Sequence, residues 1–224
     1  MSEFSDKKIV ESWLKNASPW IQAIENKEIE SRQLVTNKAI IEAILKREPD
    51  HVLDIGCGEG WLVRKLVSRG IDCLGIDTVP ELINYASKRK GRFKILPYEE
   101  LKPEAVGKQF DVLVCNFSLF GKRSVEIIFD QASKIVCNRG ALIVQTLHPG
   151  SSFDKEVQVE GWKEGSWAGF NENFSCPAPW YYRSIESWMA LFSGAGFSKV
   201  EIVEPINPKT KIPASIIFIG EMDD

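Results

Sequence analysis

In residues 52–61, VLDIGCGEGW, an apolar run reaches Asp54 and passes into Gly56, Gly58 and Gly60 just before a helix-period segment begins. Glycines at alternate positions permit a turn with positive φ and no Cβ, so backbone N–H groups and a helix N-terminus can press against a ligand. Many nucleotide-binding proteins share such a turn, and alone it says little. Two acids narrow it. Asp54 stands where a core strand would carry another apolar residue; its carboxylate can accept from an ammonium or hold the turn, and it would repel a pyrophosphate. Asp77 ends the next apolar run, 17 residues beyond Gly60, where a neighbouring strand brings a carboxylate to a ribose diol for a charge-assisted bidentate contact. Either acid could instead cap the turn or the following helix, but their joint placement favours a ligand.

A candidate for acid-base chemistry follows Gln145-Thr146-Leu147. Histidine's unperturbed pKa of about 6.5 suits a general base near neutral pH, and Pro149 restricts the His148 backbone to extended conformations. The competing reading is an imidazole bonded to backbone at a strand end. No Ser/His/Asp or Cys/His arrangement occurs.

These residues need a scaffold, and from residue 51 short apolar runs alternate with helix-period segments, the pattern of β-α-β units around a parallel sheet. Strands are expected at 51–55, 71–76, 92–96, 110–115 and 140–147, with helices near 60–69, 79–90 and 122–138. Gly70 reads as a C′ glycine, and Thr78-Val79-Pro80 as an N-cap and first turn. After a helix at 184–194, runs from Lys199 to Val203 and from Ala214 to Ile219 are too close for a parallel crossover and should form an antiparallel pair. Residues 1–50 read as helical, with Thr36 the expected N-cap of the last helix, and should pack over one edge of the sheet. Residues 148–183 show no clean period, yet ten of the 23 aromatic residues fall between Phe153 and Phe192. So long an aromatic-rich insertion suits a functional loop at the carboxyl ends of the strands, an acceptor pocket or lid whose aromatic faces could stack on a ring or enclose a cation; the competing reading is a second hydrophobic cluster under a long loop.

Composition excludes several classes. The 224 residues carry 28 Lys+Arg against 31 Asp+Glu, a net charge of −3, with 44% hydrophobic residues, which fits one globular domain spanning 1–224 with embellishments at 1–50 and 148–183. No apolar run can span a bilayer and no signal peptide opens the chain, so a cytoplasmic location without a membrane partner is expected. The charge balance argues against nucleic acid. The cluster Lys88-Arg89-Lys90 with Arg92 reads as a solvated helix end. Five widely spaced cysteines and two histidines suggest neither disulfides nor a metal site.

The set Asp54, Gly56, Gly58, Gly60 and Asp77 resembles the class I S-adenosylmethionine-dependent methyltransferases, whose first motif is a strand ending in an acid followed by G-x-G-x-G. The resemblance covers about three quarters of the chain. It implies a Rossmann-like, doubly wound α/β fold with a seven-stranded, mostly parallel sheet whose last strand is antiparallel, plus a helical N-terminal cap and an insertion after strand five. It also implies methyl transfer from S-adenosylmethionine to a small-molecule acceptor, with S-adenosylhomocysteine as product. By resemblance Asp77 meets the ribose, and Asn116 and Phe117 in the run Cys115-Asn116-Phe117-Ser118-Leu119 border the methionine and methyl; Arg32 joins the cofactor candidates because the cap should meet the sheet's carboxyl edge there. One departure is Leu96-Pro97-Tyr98-Glu99-Glu100: Pro97 occupies the place of an adenine-binding acid, so Tyr98, Glu99 or backbone must take that contact. Arg183, at the insertion's exit, and Arg32 could instead make surface contacts or caps. Two other functions fit less well. An NAD(P)-dependent oxidoreductase needs a third glycine where Trp61 stands and has no use for Asp54. A cofactor-binding domain without chemistry would keep the first motif alone. The oligomeric state and the acceptor's identity are not legible.

Overall fold

The computed structural model describes residues 4–151 and 159–223. Seven strands form one sheet: β1 (His51–Ile55), β2 (Asp72–Asp77), β3 (Arg92–Ile95), β4 (Phe110–Asn116), β5 (Val136–Thr146), β8 (Lys199–Val203) and β9 (Ile216–Glu221), in the order β3-β2-β1-β4-β5-β9-β8. The first five run parallel, and β9 is antiparallel to both of its neighbours. A separate ribbon pairs β6 (Gly161–Lys163) with β7 (Trp180–Tyr182). Phe153 lies outside the described residues.

Both faces of the central strands β1, β4 and β5 are covered, which is why they read as nearly continuous apolar runs, whereas the edge strand β3 is largely exposed. On one face α2 (Asn37–Leu45), α3 (Trp61–Val67) and α4 (Pro80–Ala86) bury Val52, Val112, Val114, Ala141 and Ile143. On the other, α6 (Arg123–Ile135) and α7 (Ile185–Gly194) cover Leu53, Leu113, Leu142 and Phe218. Fully buried Phe110, Phe192 and Phe218 each stabilise the fold by about 1.5–3 kcal/mol.

The local chemistry sets the boundaries. Gly70 (φ +86) ends α3: its N–H reaches Val67 O and the Ile71 N–H reaches Leu66 O, the paired bonds of a Schellman stop. α6 ends at Ile135, short of the expected 138, because Val136 turns extended and pairs with Phe110; the register then shifts before Val112 meets Ala141. α4 also ends early, at Ala86, so Arg89 lies beyond the helix, over the Tyr85 ring and 2.8 Å from Glu25.

Two expectations for the N-terminal segment fail. Thr36 is not an N-cap: Arg32–Thr36 forms a π-turn running without a break into α2, with Thr36 helical and buried. Nor does the segment lie on a sheet edge. Ile40, Ala43 and Ile44 bury against a sheet face, while α1 (Asp6–Glu25) crosses the carboxyl end, setting Ala17 and Ile21 on Val79 and Leu82. An apolar helical stripe gains more from the open sheet face than from an edge.

Candidate active site

The carboxyl ends of β1, β2 and β4 and the roof formed by α1 enclose a cleft lined by Gly56, Gly58, Asp77, Tyr98, Glu99, Asn116, Phe117 and Arg32. The sequence thus brings eight of its cofactor candidates to one place. Asp54 and Gly60 stand behind this lining, and His148 lies elsewhere.

The turn after β1 is anchored to β2, with Gly56 N–H and Cys57 N–H donating to Ile76 O at 2.8 and 2.9 Å. Its three glycines all have positive φ, but their neighbours differ. A Cβ on Gly56 would collide with the Tyr98 hydroxyl and Ser118, and one on Gly60 with the Phe93 ring. Packing inside the protein therefore requires these two. Of the three, Gly58 alone would admit a Cβ without collision, in ordinary contact with Trp20 Nε1 at 3.6 Å.

Asp77 ends β2 with Oδ2 accepting from Gly58 N–H and Oδ1 from Val79 N–H, both at 2.9 Å. It caps the turn and α4 at once, and each oxygen retains a further lone pair for a ligand donor. Burial pushes its carboxyl above the usual range, opposed by its backbone donors. Asp54 is 2% exposed; burial, then repulsion from Glu59 and Asp77, hold its carboxyl well above the ordinary value, with Arg32 opposing.

Arg32 enters the cleft from the π-turn. Its guanidinium lies 5.6 Å from the Trp20 centroid and 4.9 Å from that of Trp61, held among Glu59 and Asp54 while burial lowers its own pKa. Nη2 is buried without a hydrogen-bond partner, as is Asn116 Oδ1. Next to Asn116, Phe117 adopts φ +51, sparsely populated for a residue with a Cβ, and donates its N–H to Gln145 O at 2.8 Å. Tyr98 donates to Ser118 O at 3.2 Å, while burial drives its phenol well above the usual range.

Sequence reading missed Glu59, Trp20 and Trp61. Glu59, 1% exposed and bonded to Arg64 at 3.0 Å, was visible as an acid between two glycines. Trp20 reaches the cleft only through the tertiary placement of α1, for which the sequence has no local signal.

The roof is braced from outside. α1 turns Asp6, Ile9, Val10, Trp13 and Trp20 toward the cleft, and Asp6 accepts from Ser124 N–H at 2.8 Å and Arg123 N–H at 3.3 Å at the start of α6. From the insertion, Ser175 exchanges two hydrogen bonds with Asn16, at 2.7 and 2.9 Å, and Trp167 packs edge-on to Trp13. Arg183 does not touch the cleft; its terminal nitrogens donate to Gly121 O and Lys122 O at 2.7 and 3.0 Å.

His148 borders a second cavity with Trp180, Tyr182 and Trp188. Its Nδ1 accepts from Gly150 N–H at 3.0 Å and its Nε2 meets Glu204 at 2.6 Å. Among the described residues no cluster of metal-ligand type occurs and no helix is long and apolar enough to cross a membrane.

Known proteins resemble this chain in sequence or in fold. An uncharacterized methyltransferase of Geobacillus kaustophilus is 26% identical over 206 residues, covering 88% of this chain and 89% of that protein. Another, from Schizosaccharomyces pombe, is 26% identical over 182 residues, 77% and 68% of the two chains. The ubiquinone biosynthesis O-methyltransferase of Psychrobacter cryohalolentis is 31% identical over 105 residues, 43% of this chain and 40% of that enzyme. The chain thus spans well under half of that last relative. Magnesium protoporphyrin IX methyltransferase of Synechocystis, solved with S-adenosylhomocysteine bound, superposes with a TM-score of 0.67 at 14% identity over 97% of this chain and all of that one. A S-adenosylmethionine-dependent methyltransferase of Clostridium acetobutylicum gives 0.66 at 14% identity, over 92% and 98%. At these identities the structural likeness is one of fold. The sequence profile described as a methyltransferase domain matches residues 29–202, well over half of the chain, which therefore belongs to the class I S-adenosylmethionine-dependent methyltransferases.

Proposed function

We propose that the cleft beneath α1 holds S-adenosylmethionine with its amino-acid end at Arg32 and Asn116 and its ribose at Asp77, for methyl transfer to a small-molecule acceptor. One observation carries the reading. Buried polar groups are nearly always paired, yet a cationic donor, Arg32 Nη2, and a neutral acceptor, Asn116 Oδ1, stand unpaired on one cleft. A carboxylate and an ammonium on one carbon complement that pair. Glu59 and Asp54 stand behind the ammonium, and their attraction opposes the loss of charge that burial presses on Arg32.

When bound, the cofactor supplies an electrophilic methyl on a sulfonium. The chain's part is orientation and exclusion of water. Trp20 and Trp61 fix the Arg32 plane, Asp77 offers its remaining lone pairs to hydroxyls, and Tyr98 and Glu99 beside Thr78 and Val79 form the adenine end. Phe117 holds the chain after β4 close to the acceptor. His148 is the candidate base, its ring oriented by Glu204; the role requires Nδ1 to exchange the Gly150 N–H for the acceptor's proton. A net negative chain with a roofed cleft suits a small molecule rather than nucleic acid, and five free cysteines suit the reducing cytoplasm. The Psychrobacter relative's name gives an O-methyltransferase of ubiquinone biosynthesis; its match is too partial to carry that acceptor over.

Calorimetry with two ligands tests the assignment. 5′-Methylthioadenosine lacks the amino-acid group. Arg32→Met should weaken S-adenosylhomocysteine about 10- to 100-fold, as for a hydrogen-bonded charged group, and leave 5′-methylthioadenosine unchanged. Equal losses for both ligands would make Arg32 part of the scaffold only.

A further inference from the structure

Beyond the cofactor cleft, the described residues form a second cavity of about 240 Å³. Its walls are Trp180, Tyr181 and Tyr182 from β7, the guanidinium-bearing Arg183 just after it, Trp188 from α7, and Leu119 and Phe120 from the segment after β4. We infer that this cavity seats an uncharged aromatic ring of the methyl acceptor. The inference rests on the donor cleft proposed above and adds the acceptor's chemical class.

Position comes first. Phe120 lines both spaces, so the chain from Asn116 to Gly121 separates the donor cleft from the cavity by a single layer. Rigidity is the second point. Tyr181 N–H donates to Phe120 O at 2.7 Å, β7 is paired with β6, and Trp180 Nε1 donates to Glu164 O at 3.2 Å. Arg183 ties the same strand to the turn after Phe120 through Gly121 O and Lys122 O. Aromatic walls fixed in this way offer flat apolar faces without a cost of ordering on binding.

Charge then selects among rings. An anionic ligand would meet an Arg183 guanidinium that already gives one hydrogen of each terminal nitrogen to a carbonyl and lies over Tyr181 and Trp188, and would face the Glu204 carboxylate at the His148 side. A cationic ligand would compete for faces that already hold cations. The Arg183 guanidinium sits 4.8 Å from the Tyr181 centroid and 5.4 Å from that of Trp188, and Lys122 Nζ is 5.3 Å from Tyr181. What remains is apolar ring surface with a polar edge from Thr146 and His148. That combination suits a neutral ring bearing a hydroxyl or a ring nitrogen, and disfavours either sign of charge.

Three isosteric probes test this by fluorescence and calorimetry on the full chain, with and without S-adenosylhomocysteine. They are 2-naphthol, 2-naphthoate and N-methylquinolinium. We expect 2-naphthol to bind at least tenfold more tightly than either ion. Trp180→Ala, and independently Tyr182→Leu, should weaken it at least fivefold while S-adenosylhomocysteine affinity changes less than twofold. That unchanged affinity also certifies that the variants fold. Equal binding of the three probes, or 2-naphthol binding indifferent to both substitutions, overturns the inference while leaving the donor cleft intact. Failure of S-adenosylhomocysteine to bind wild type would instead overturn the donor reading.

Discussion

The carboxylate of Asp77 receives the Gly58 N–H at 2.9 Å, tying the end of β2 to the glycine turn after β1. Because Oδ1 also takes the Val79 N–H, the residue assigned to the ribose already shapes the loops around it. Asp77→Asn should therefore lower stability as well as affinity. The amide keeps one acceptor and turns a donor toward the other N–H, costing about 1–3 kcal/mol. Urea unfolding and S-adenosylhomocysteine titration should both register the loss; a variant of full stability and full affinity refutes both roles.

Asp54 predicts the opposite sign for stability. Its folded-state pKa is raised, by burial first and then by Glu59 and Asp77. The folded state thus holds this proton more tightly, so stability falls as pH rises from the ordinary carboxylate value toward the folded one, and the deficit persists above it. Asp54→Asn should raise the urea midpoint of the ligand-free protein at pH 7.5, with the gain shrinking on acidification, and should weaken S-adenosylhomocysteine binding. A lower midpoint at pH 7.5 would mean that attraction to Arg32 outweighs burial.

Asp6 is the acid for which pairing wins. Burial alone would raise its pKa, but the Ser124, Arg123 and Lys122 donors outweigh it and the net shift is downward. Its contribution is present above the unfolded pKa and is lost as pH falls through the folded one. Asp6→Ala removes a helix cap that holds the roof, costing about 1 kcal/mol at pH 7. The difference from wild type should close in acid, and proteolysis within residues 4–25 should quicken. An unchanged rate of cleavage would show that the roof does not depend on this contact.

The three glycines should not respond alike. Gly56→Ala forces a Cβ into Tyr98 and Ser118 at φ +74 and should cost about 2–4 kcal/mol, the sum of a left-handed alanine and overpacking. Gly58→Ala meets only Trp20 Nε1 at 3.6 Å and should cost about 1–2 kcal/mol, from its φ of +57 alone. Thermal unfolding of the pair checks the order, and equal losses would contradict it.

The parallel core was legible because its strands are covered on both faces and its turns carry Gly56, Gly58, Gly60, Gly70 and Pro80 at positions where only a few residues serve. Asp54 and Asp77 stood out as candidates because an acid at the end of an apolar strand is conspicuous, and Asp77 also fills the capping role that the sequence left open. Thr36 misled because a hydroxyl before an apolar stripe signals a cap, whereas the π-turn depends on long-range packing. Arg32 could be placed near the sheet but not between Trp20 and Trp61, since nothing local to α1 specifies what its inner face meets. The insertion's aromatics divided between bracing α1, as Trp167 does, and lining the second cavity, as Trp180 does, a split with no periodic signature.

The central claim is methyl transfer to a small molecule from the roofed cleft. Its most direct test is incubation of the protein with methyl-labelled S-adenosylmethionine and a fractionated metabolite extract. The account predicts label in a low-molecular-mass product, reduced at least tenfold by Arg32→Met at limiting donor. Label only in protein or nucleic acid, or no transfer from a protein that binds S-adenosylhomocysteine, would contradict it.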